Sequence, residues 1–209
     1  MKKIALIFGL FICCPAIAFS QHSFKSEVQE IQNRYANLSP QGKTIVFTGS
    51  SSVRMWQSVS DLAPENTIVN TGFGGSQARD LWQHKEALIT QFNPHQVFIY
   101  EGDNDLFAGV SPRKIKRITK KIIRAIQKNN KQTRIVLIAA KPSISRWDLK
   151  TKYEQLNGLF KRLAAKKEPL VYADVWNPML KEGKLDKSLF ISDGLHMNQK
   201  GYDIWESVL

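Results

Sequence analysis

Residues 43–56, which read KTIVFTGSSSVRMW, constrain the fold more than any other stretch. Apolar and β-branched residues at 45–48 are followed by Gly49 and three serines, and apolar residues return from Val53 at helical spacing. This pattern predicts a strand, a tight turn and a helix start. A serine in the turn would lie where the helix N-terminus favours negative charge, and it could act as a nucleophile. The alternative is that Ser50–Ser52 only cap the helix, as serines often do.

The first part of the chain has the pattern of a secretory signal peptide over residues 1–18. Two lysines precede an apolar run at 4–14, and small residues follow at 16–18. The run is too short for a comfortable membrane span. We therefore expect an exported protein, periplasmic or secreted, with one domain over residues 19–209. Both cysteines lie in the segment that would be removed, so no disulfide is expected in the mature chain.

Downstream of this segment, strand-like apolar runs alternate with helical periodicity. Strands are predicted at 45–48, 67–70, 97–100, 135–140 and 170–176, and helices at 24–35, 53–59, 76–91, 111–128, 148–166 and from 198. The alternation, with no repeat and no long linker, predicts a single α/β domain with a five-stranded parallel sheet flanked by helices.

The predicted helix over residues 113–128 is strongly basic on one face. That face carries eight cations and no acid, namely Arg113, Lys114, Lys116, Arg117, Lys120, Lys121, Arg124 and Lys128. The formal net charge of the whole chain is +12. A basic face is usually only solvated, but one so uniform could also contact a polyanion or an anionic membrane. No specific nucleic-acid partner is predicted, and the oligomeric state is left open.

Polar or glycine-rich segments follow the ends of several predicted strands. They are the Ser51 turn, the loop around Gly75, the run Glu101-Gly102-Asp103-Asn104-Asp105, and the segment that holds Asp193 and His196. Ligands of open parallel sheets bind outside the carboxyl ends of the strands. These segments are therefore expected to share one edge of the domain.

The residue types at this edge suit acyl transfer to a serine. His196 can take the serine proton through one ring nitrogen, while Asp193, three residues earlier, orients the ring. The side chain of Asn104 and the backbone N–H groups of Gly75 and Ser51 can stabilise an oxyanion. No metal-ligand spacing of Cys, His or carboxylates is present, so neither a metal nor an organic cofactor is expected.

In these segments the chain resembles the SGNH, or GDSL-type, hydrolase family of esterases and lipases. The family's four blocks are matched in order by Gly49-Ser50-Ser51, by Gly75 within residues 70–76, by Gly102-Asp103-Asn104-Asp105 and by Asp193-Gly194-Leu195-His196. The resemblance implies a three-layer, flavodoxin-like fold with strand order 2-1-3-4-5, and it implies hydrolysis of carboxylic esters. It also implies the roles of the site residues: Ser51 as nucleophile, Asp193 and His196 as the rest of the triad, and Gly75 and Asn104 as oxyanion donors. The aspartate that usually precedes the family's serine is replaced here by Ser50.

The size of the acyl group is predicted from the short connections after the strands. No apolar insertion that could form a lid is present, so the site is expected to be shallow. Its rim is expected to hold Phe73, Phe107, Arg146 and Trp147, with Phe73, Arg146 and Trp147 binding the substrate. Such a rim favours short acyl groups on polar alcohols, such as acetylated sugars, over long-chain lipids. The alternatives are a lysophospholipase or thioesterase of the same family, and a non-catalytic envelope module that binds polyanions.

Overall fold

The computed structural model describes residues 24–166 and 168–209 of the chain. The predicted signal peptide over residues 1–18 lies outside the described residues. No helix within the described ranges is long and apolar enough to cross a membrane. In the same ranges, no three His, Cys, Asp or Glu side chains are grouped so that they could hold a metal ion.

Five parallel strands form the central sheet. They are β1 (Thr44–Gly49), β2 (Thr67–Gly72), β3 (Gln96–Tyr100), β4 (Arg134–Ile138) and β5 (Leu170–Ala173). Their order is β2-β1-β3-β4-β5, which confirms both the five predicted strands and the expected strand order. The order reverses beside β1, and open α/β sheets form a crevice at the strand ends next to such a reversal.

Helices precede, connect and follow the strands of the sheet. Within the described ranges they are α1 (Lys25–Arg34), α2 (Ser51–Arg54), α3 (Ala78–Leu88), α4 (Asp103–Phe107), α5 (Pro112–Asn129), α6 (Lys150–Ala164) and α7 (Gln199–Val208). The helix predicted over 53–59 is wrong in its bounds, because α2 ends at Arg54 and a 3-10 turn follows at Gln57–Leu62. Sequence periodicity also does not predict α4 or the small hairpin of β6 (Leu180–Lys181) and β7 (Lys184–Leu185), since both are too short to show a period.

Both faces of the sheet are covered, which gives the molecule three layers. Val46 and Phe47 are consecutive in β1 and point to opposite faces, yet their exposed fractions are only 0% and 2%. On one face α3, α5 and α6 lie side by side. On the other face Trp56, which follows α2, packs edge-on against Trp205 of α7 with 5.5 Å between ring centroids. The expected three-layer, flavodoxin-like fold is therefore confirmed.

Candidate active site

The turn after β1 places Ser51 at the start of α2. Gly49 has a φ of 129°, and a Cβ on this residue would lie 1.9 Å from the Tyr100 carbonyl oxygen, so a larger residue does not fit. The Ser50 N–H donates to the same carbonyl oxygen at 3.1 Å. These contacts anchor the turn to the end of β3 and leave Ser51 as the first residue of the helix.

The side chains of Ser51, His196 and Asp193 form a continuous hydrogen-bonded chain. His196 Nε2 lies 2.8 Å from Ser51 Oγ, and His196 Nδ1 lies 2.5 Å from Asp193 Oδ2. The other carboxylate oxygen of Asp193 accepts from the backbone N–H groups of Leu195 at 2.8 Å and His196 at 2.9 Å. The structure thus brings together three residues that the sequence nominates, in the order nucleophile, base and orienting carboxylate.

Hydrogen bonding keeps Asp193 ionised. Although partial burial opposes ionisation, the His196 ring and the backbone N–H groups of His196 and Leu195 lower the pKa of Asp193 to about 2. An ionised carboxylate accepts the Nδ1–H of a neutral imidazole, which leaves Nε2 unprotonated and facing the Ser51 hydroxyl. In this tautomer His196 can take the hydroxyl proton.

Exposure and contacts distinguish the three consecutive serines. Ser50 and Ser52 are buried, with exposed fractions of 1% and 2%, whereas Ser51 is partly exposed. Ser51 Oγ is also the hydroxyl that contacts His196. The alignment to the family's first block and the geometry of the turn therefore point to the same hydroxyl.

The expected oxyanion donors lie in the segments that follow β1, β2 and β3, whose ends are adjacent in the sheet. Asn104 Nδ2 donates to the Ser76 carbonyl at 2.9 Å, which joins the segment after β3 to the Gly75 loop. This contact uses one of the two hydrogens on Nδ2 and leaves the other for a ligand. Within residues 24–166 and 168–209, the N–H groups of Ser51 and Gly75 have no hydrogen-bond acceptor. All three donors that the sequence nominates are therefore free to bind an oxyanion.

Two buried carboxyl groups hold the Gly75 loop against the segment after β3. Ser76 Oγ donates to Glu101 Oε1 at 2.7 Å, and the Ala78 N–H donates to Asp105 Oδ2 at 3.0 Å. Burial raises the pKa of Glu101 well above its usual range, and the nearby Asp105 adds to the effect. Burial likewise raises the pKa of Asp105 to about 6. The donor segments therefore depend on carboxyl groups that are harder to ionise than exposed ones.

Arg146 lies at the site, but its guanidinium contacts protein groups. Nη1 donates to Asp103 Oδ1 at 2.6 Å, and Nη2 donates to Asn104 Oδ1 at 3.0 Å. The guanidinium carbon lies 4.5 Å from the centroid of the Phe107 ring. Because the side chain is only 9% exposed, little of it is available to the substrate that it was expected to bind.

The other residues expected at the rim differ in their settings. Phe73 is 0% exposed and packs edge-on against Phe24, with 5.1 Å between ring centroids. The expectation that Phe73 binds substrate is therefore wrong, because its ring is buried in the core, where apolar burial stabilises the fold. Trp147 is partly exposed and stacks on Trp176 at 6.2 Å, and Phe107 is 65% exposed. These two aromatic side chains remain available at the surface.

Sequence reasoning missed Lys141, a buried cation beside the triad. Lys141 is 0% exposed, and its Nζ donates to the Leu195 carbonyl at 2.5 Å, one residue before His196. Burial lowers the pKa of Lys141 to about 8, against the opposing effect of Asp103. The signal that could have found it is a charged residue directly after the apolar run at 135–140, at the edge of the sheet that holds the site.

The segment that contains these residues also matches a known family. The sequence model of the GDSL-like lipase/acylhydrolase family matches residues 41–204, a range that includes Ser51, Asp193 and His196 and the expected oxyanion donors. The chain belongs to this family. It is therefore an ester-hydrolysing enzyme, as its sequence resemblance predicted. No curated protein matches the chain.

Solved structures of the same fold resemble this GDSL-family hydrolase at low sequence identity. A GDSL-like lipase from Bacteroides thetaiotaomicron has a TM-score of 0.72 and 20% identity, over 88% of this chain and 95% of its own. A lipase/acylhydrolase from Enterococcus faecalis has a TM-score of 0.68 and 21% identity, over 79% and 92% of the two chains. A catalytic mutant of an acetylxylan esterase from Geobacillus stearothermophilus has a TM-score of 0.68 and 18% identity, over 81% and 93%. At these identities the likeness concerns the fold.

Proposed function

We propose that this enzyme cleaves carboxylic esters through an acyl-enzyme on Ser51, with His196 as general base and Asp193 as its orienting carboxylate. The observation that carries the proposal is the chain of contacts from Asp193 Oδ2 through both ring nitrogens of His196 to Ser51 Oγ, at 2.5 and 2.8 Å. A hydroxyl is a weak nucleophile at its ordinary pKa, and an adjacent oriented base is what activates it.

In the acylation step, Ser51 Oγ bonds to the ester carbonyl carbon while its proton moves to His196 Nε2. The carbonyl oxygen becomes an oxyanion, which the N–H groups of Ser51 and Gly75 and the Nδ2 of Asn104 stabilise. The tetrahedral intermediate then breaks its bond to the alcohol oxygen, and His196 donates the proton to the leaving alcohol. Water then gives a proton to His196 and attacks the acyl carbon, which forms a second oxyanion. This intermediate breaks its bond to Ser51 Oγ, Oγ takes the proton back from His196, and the carboxylic acid leaves.

Alanine variants at adjacent positions test the nucleophile. Ser51→Ala is expected to lose turnover by on the order of 10⁶ while it keeps the wild-type melting temperature, because the hydroxyl does not pack in the core. Ser50→Ala and Ser52→Ala are the matched controls and are expected to keep most of the turnover. A fluorophosphonate adduct mapped to Ser51 by mass spectrometry supports the assignment, and an adduct on either neighbour refutes it.

The proposed substrates are short acyl esters of polar alcohols, such as acetyl groups on carbohydrates. Phe107, which contacts Arg146, and Trp147, which contacts Trp176 and Lys150, leave parts of their rings exposed to a sugar, whereas Phe73 is buried and adds no apolar surface for a long chain. The fold of an acetylxylan esterase is similar, and it supports the same choice. Long acyl chains would remain largely in water at such a rim and would gain little binding free energy.

A series of phenyl esters tests the acyl preference. The value of kcat/KM is expected to fall from acetate through butyrate to decanoate and palmitate, with Ser51→Ala as the blank. A rise towards the long chains would refute the short-acyl proposal. Lysophosphatidylcholine and palmitoyl-CoA, assayed in parallel, test the lysophospholipase and thioesterase alternatives, and release of acetate from acetylated xylo-oligosaccharides tests the carbohydrate substrate.

Export to the periplasm or the medium is also proposed, on the basis of the pattern in residues 1–18. Expression of the full chain in a bacterial host should give an exported protein whose first residue is Phe19. A variant with both Lys2 and Lys3 changed to glutamate should accumulate as the precursor, because the basic region of a signal peptide is lost. An uncleaved wild-type protein inside the cell would refute the proposal.

In addition, we propose that the basic helix α5 binds an acidic polysaccharide along a groove shared with α3. The groove has a volume of about 590 Å³ and is lined by Trp82, Lys85, Glu86, Thr90, Lys121, Arg124, Ala125, Lys128 and Asn129. The ammonium groups of Lys85 and Lys121 lie 4.5 and 6.0 Å from the centroid of the Trp82 ring. Within the described ranges, no cation of α5 lies within 4.0 Å of a carboxylate. An anionic polymer can therefore bind the α5 cations without breaking an ion pair, whereas Lys85 in the same groove is paired with Glu86 at 3.3 Å.

A polymer fits this surface better than a bilayer does. The large apolar side chains that are exposed in the described chain are Met55, Phe107, Ile144 and Ile191, and none of them belongs to α3 or α5. A helix that lies in a membrane interface needs an apolar face to insert, and the central isoleucines of α5 are buried in the protein core.

Charge reversal in two matched sets tests the groove. Lys121→Glu, Arg124→Glu and Lys128→Glu together are expected to weaken binding of polygalacturonate at low salt by at least about 10-fold, since screening is then slight. Reversal of Arg113, Lys114 and Arg117, which lie outside the groove, changes the net charge equally and is expected to have a much smaller effect. Equal losses of polygalacturonate binding in the two sets would refute the proposal, and so would binding of the wild type only to phosphatidylglycerol vesicles. Turnover of phenyl acetate should not change in either set.

A further inference from the structure

The guanidinium of Arg146 donates hydrogen bonds to two consecutive residues in the segment after β3. One amino group donates to Asp103 Oδ1 at 2.6 Å, and the other donates to Asn104 Oδ1 at 3.0 Å. The Phe107 ring lies 4.5 Å from the guanidinium carbon, at the end of the same short helix. The planar group is therefore held by a carboxylate on one side and a ring on another, and it presents a fixed donor to the Asn104 amide.

The orientation of the Asn104 amide follows from its two protein contacts. Its Oδ1 accepts from Arg146 at 3.0 Å, and its Nδ2 donates to the Ser76 carbonyl at 2.9 Å. If the amide were rotated by half a turn, Nδ2 hydrogens would face the guanidinium N–H groups and Oδ1 would face the Ser76 carbonyl oxygen. Both contacts would then be repulsive, so Arg146 and Ser76 together select the orientation in which the second Nδ2 hydrogen is free.

Asp103 gives Arg146 a rigid anchor. The carboxyl group is only 4% exposed, and it also accepts hydrogen bonds from the hydroxyls of Tyr153 and Tyr100. Although burial alone would raise it, the cations of Lys141 and Arg146 hold the pKa of Asp103 below its usual range. The carboxylate is therefore charged, fully bonded and unable to move with the substrate.

We propose that Arg146 is a positioning residue for ester hydrolysis, and that it sets the strength of oxyanion stabilisation by fixing the orientation of the Asn104 amide. The inference rests on the proposed role of Asn104 as an oxyanion donor. Because that donor matters most once the oxyanion has formed, loss of Arg146 should act on kcat. A residue that contacts the substrate directly would also change KM.

A double-mutant cycle on Arg146 and Asn104 tests this role. Arg146→Met is expected to lower kcat for phenyl acetate by at least roughly 10-fold, with KM within about twofold of wild type. Asn104→Ala alone is expected to lower kcat by roughly 10² to 10³. In the Asn104→Ala background, Arg146→Met should lower kcat by less than about twofold, because no amide is left to position. Equal losses in both backgrounds, or a change in KM alone, would overturn the inference.

The cycle separates this inference from the proposed function. One outcome is that Asn104→Ala lowers kcat while the double variant loses kcat by the product of the two single-variant losses. In that case the positioning role of Arg146 is refuted while Asn104 remains an oxyanion donor. If Asn104→Ala has normal turnover, the oxyanion assignment itself is refuted, and the positioning role is refuted with it. The nucleophile is tested independently by Ser51→Ala.

Arg146→Lys covers the case in which Arg146→Met does not fold. It keeps a cation beside Asp103, but a single ammonium cannot donate to both oxygens in the geometry of the fork. The variant should keep the wild-type melting temperature and have a lower kcat for phenyl acetate. In the Asn104→Ala background it should not lower kcat any further. Arg117→Met, at an exposed position of α5, is the matched control and should retain wild-type kcat and KM. A wild-type kcat in Arg146→Lys would overturn the inference.

Discussion

Asp105 destabilises the folded chain when it is ionised, so Asp105→Asn should stabilise the protein at neutral pH. The residue is 1% exposed, and its Oδ2 accepts from the Ala78 N–H at 3.0 Å. Burial raises the pKa of its carboxyl group from 3.8 to about 6, and the nearby Asp80 and Asp103 add to the effect. An increase of this size corresponds to about 3 kcal/mol of free energy between the protonated and ionised forms.

The direction of the pH dependence follows from proton binding. Folded Asp105 keeps its proton up to about pH 6, whereas the unfolded residue loses it near 3.8, so the folded chain binds more protons in this window. The contribution of Asp105 to the free energy of unfolding therefore falls as the pH rises through the window. Asparagine cannot ionise, and its side-chain oxygen can still accept from the Ala78 N–H. Asp105→Asn should thus match wild type near pH 4 and exceed its stability at pH 7 by about 1 to 3 kcal/mol.

Urea unfolding followed by tryptophan fluorescence measures this difference across the same pH range. Asp61→Asn, at an exposed position, controls for the loss of one negative charge from a basic protein. Glu101, whose pKa is also raised by burial, remains in the variant, so the pH dependence should become shallower without disappearing. If Asp105→Asn were destabilised equally at both ends of the range, the charge on Asp105 would not be the cause of the pH dependence.

Substitutions at three further residues test contacts around the site, each with steady-state kinetics on phenyl acetate and a thermal melt. Lys141→Met removes the hydrogen bond to the Leu195 carbonyl, next to His196, and is expected to lower kcat by roughly 10-fold at unchanged KM. An unchanged kcat would show that this hydrogen bond does not position His196. Glu27→Ala removes the acceptor of the Gly74 N–H and should lower kcat severalfold, whereas Glu27→Gln keeps a side-chain oxygen there and should retain most of the turnover. Asp193→Asn should lower kcat by roughly 10⁴ with the fold preserved, because the wrong tautomer of the histidine is then favoured; near-normal turnover would contradict the triad.

The sheet could be predicted because its determinants are local. Each strand is an apolar run bounded by polar, glycine or proline residues, and the five runs are separated by helical periodicity. The carboxyl ends of parallel strands share one edge, so Ser51, Gly75 and Asn104 could be placed together without any distance. The fold class predicts only that these ends share one edge, and the strand order implied by the family resemblance makes the ends of β2, β1 and β3 neighbours.

The directions and partners of individual side chains could not be predicted in this way. Phe73 follows a strand end as the other site segments do, but its exposure depends on packing against a residue far away in sequence. Arg146 carries a charge, which favours an exposed position, yet its partners lie 43 and 42 residues earlier, at Asp103 and Asn104. The burial of Lys141 is even harder to predict, since lysine is almost never fully buried unless it is paired. Such contacts depend on the assembled fold and leave no periodicity in the sequence.

The Gly75 loop also contacts a helix outside the matched region of the family. Helix α1 precedes residues 41–204, yet Glu27 within it accepts from the Gly74 N–H at 2.9 Å. The apolar face of α1 is buried against the core, so apolar burial fixes the position of this carboxylate. On the other side of the loop, the buried Glu101 accepts from the hydroxyl that follows Gly75. The residues on both sides of Gly75 are therefore held by carboxyl groups, one inside the matched region and one before it. If Gly75 is the proposed oxyanion donor, loss of either carboxyl group should weaken the same step of the reaction.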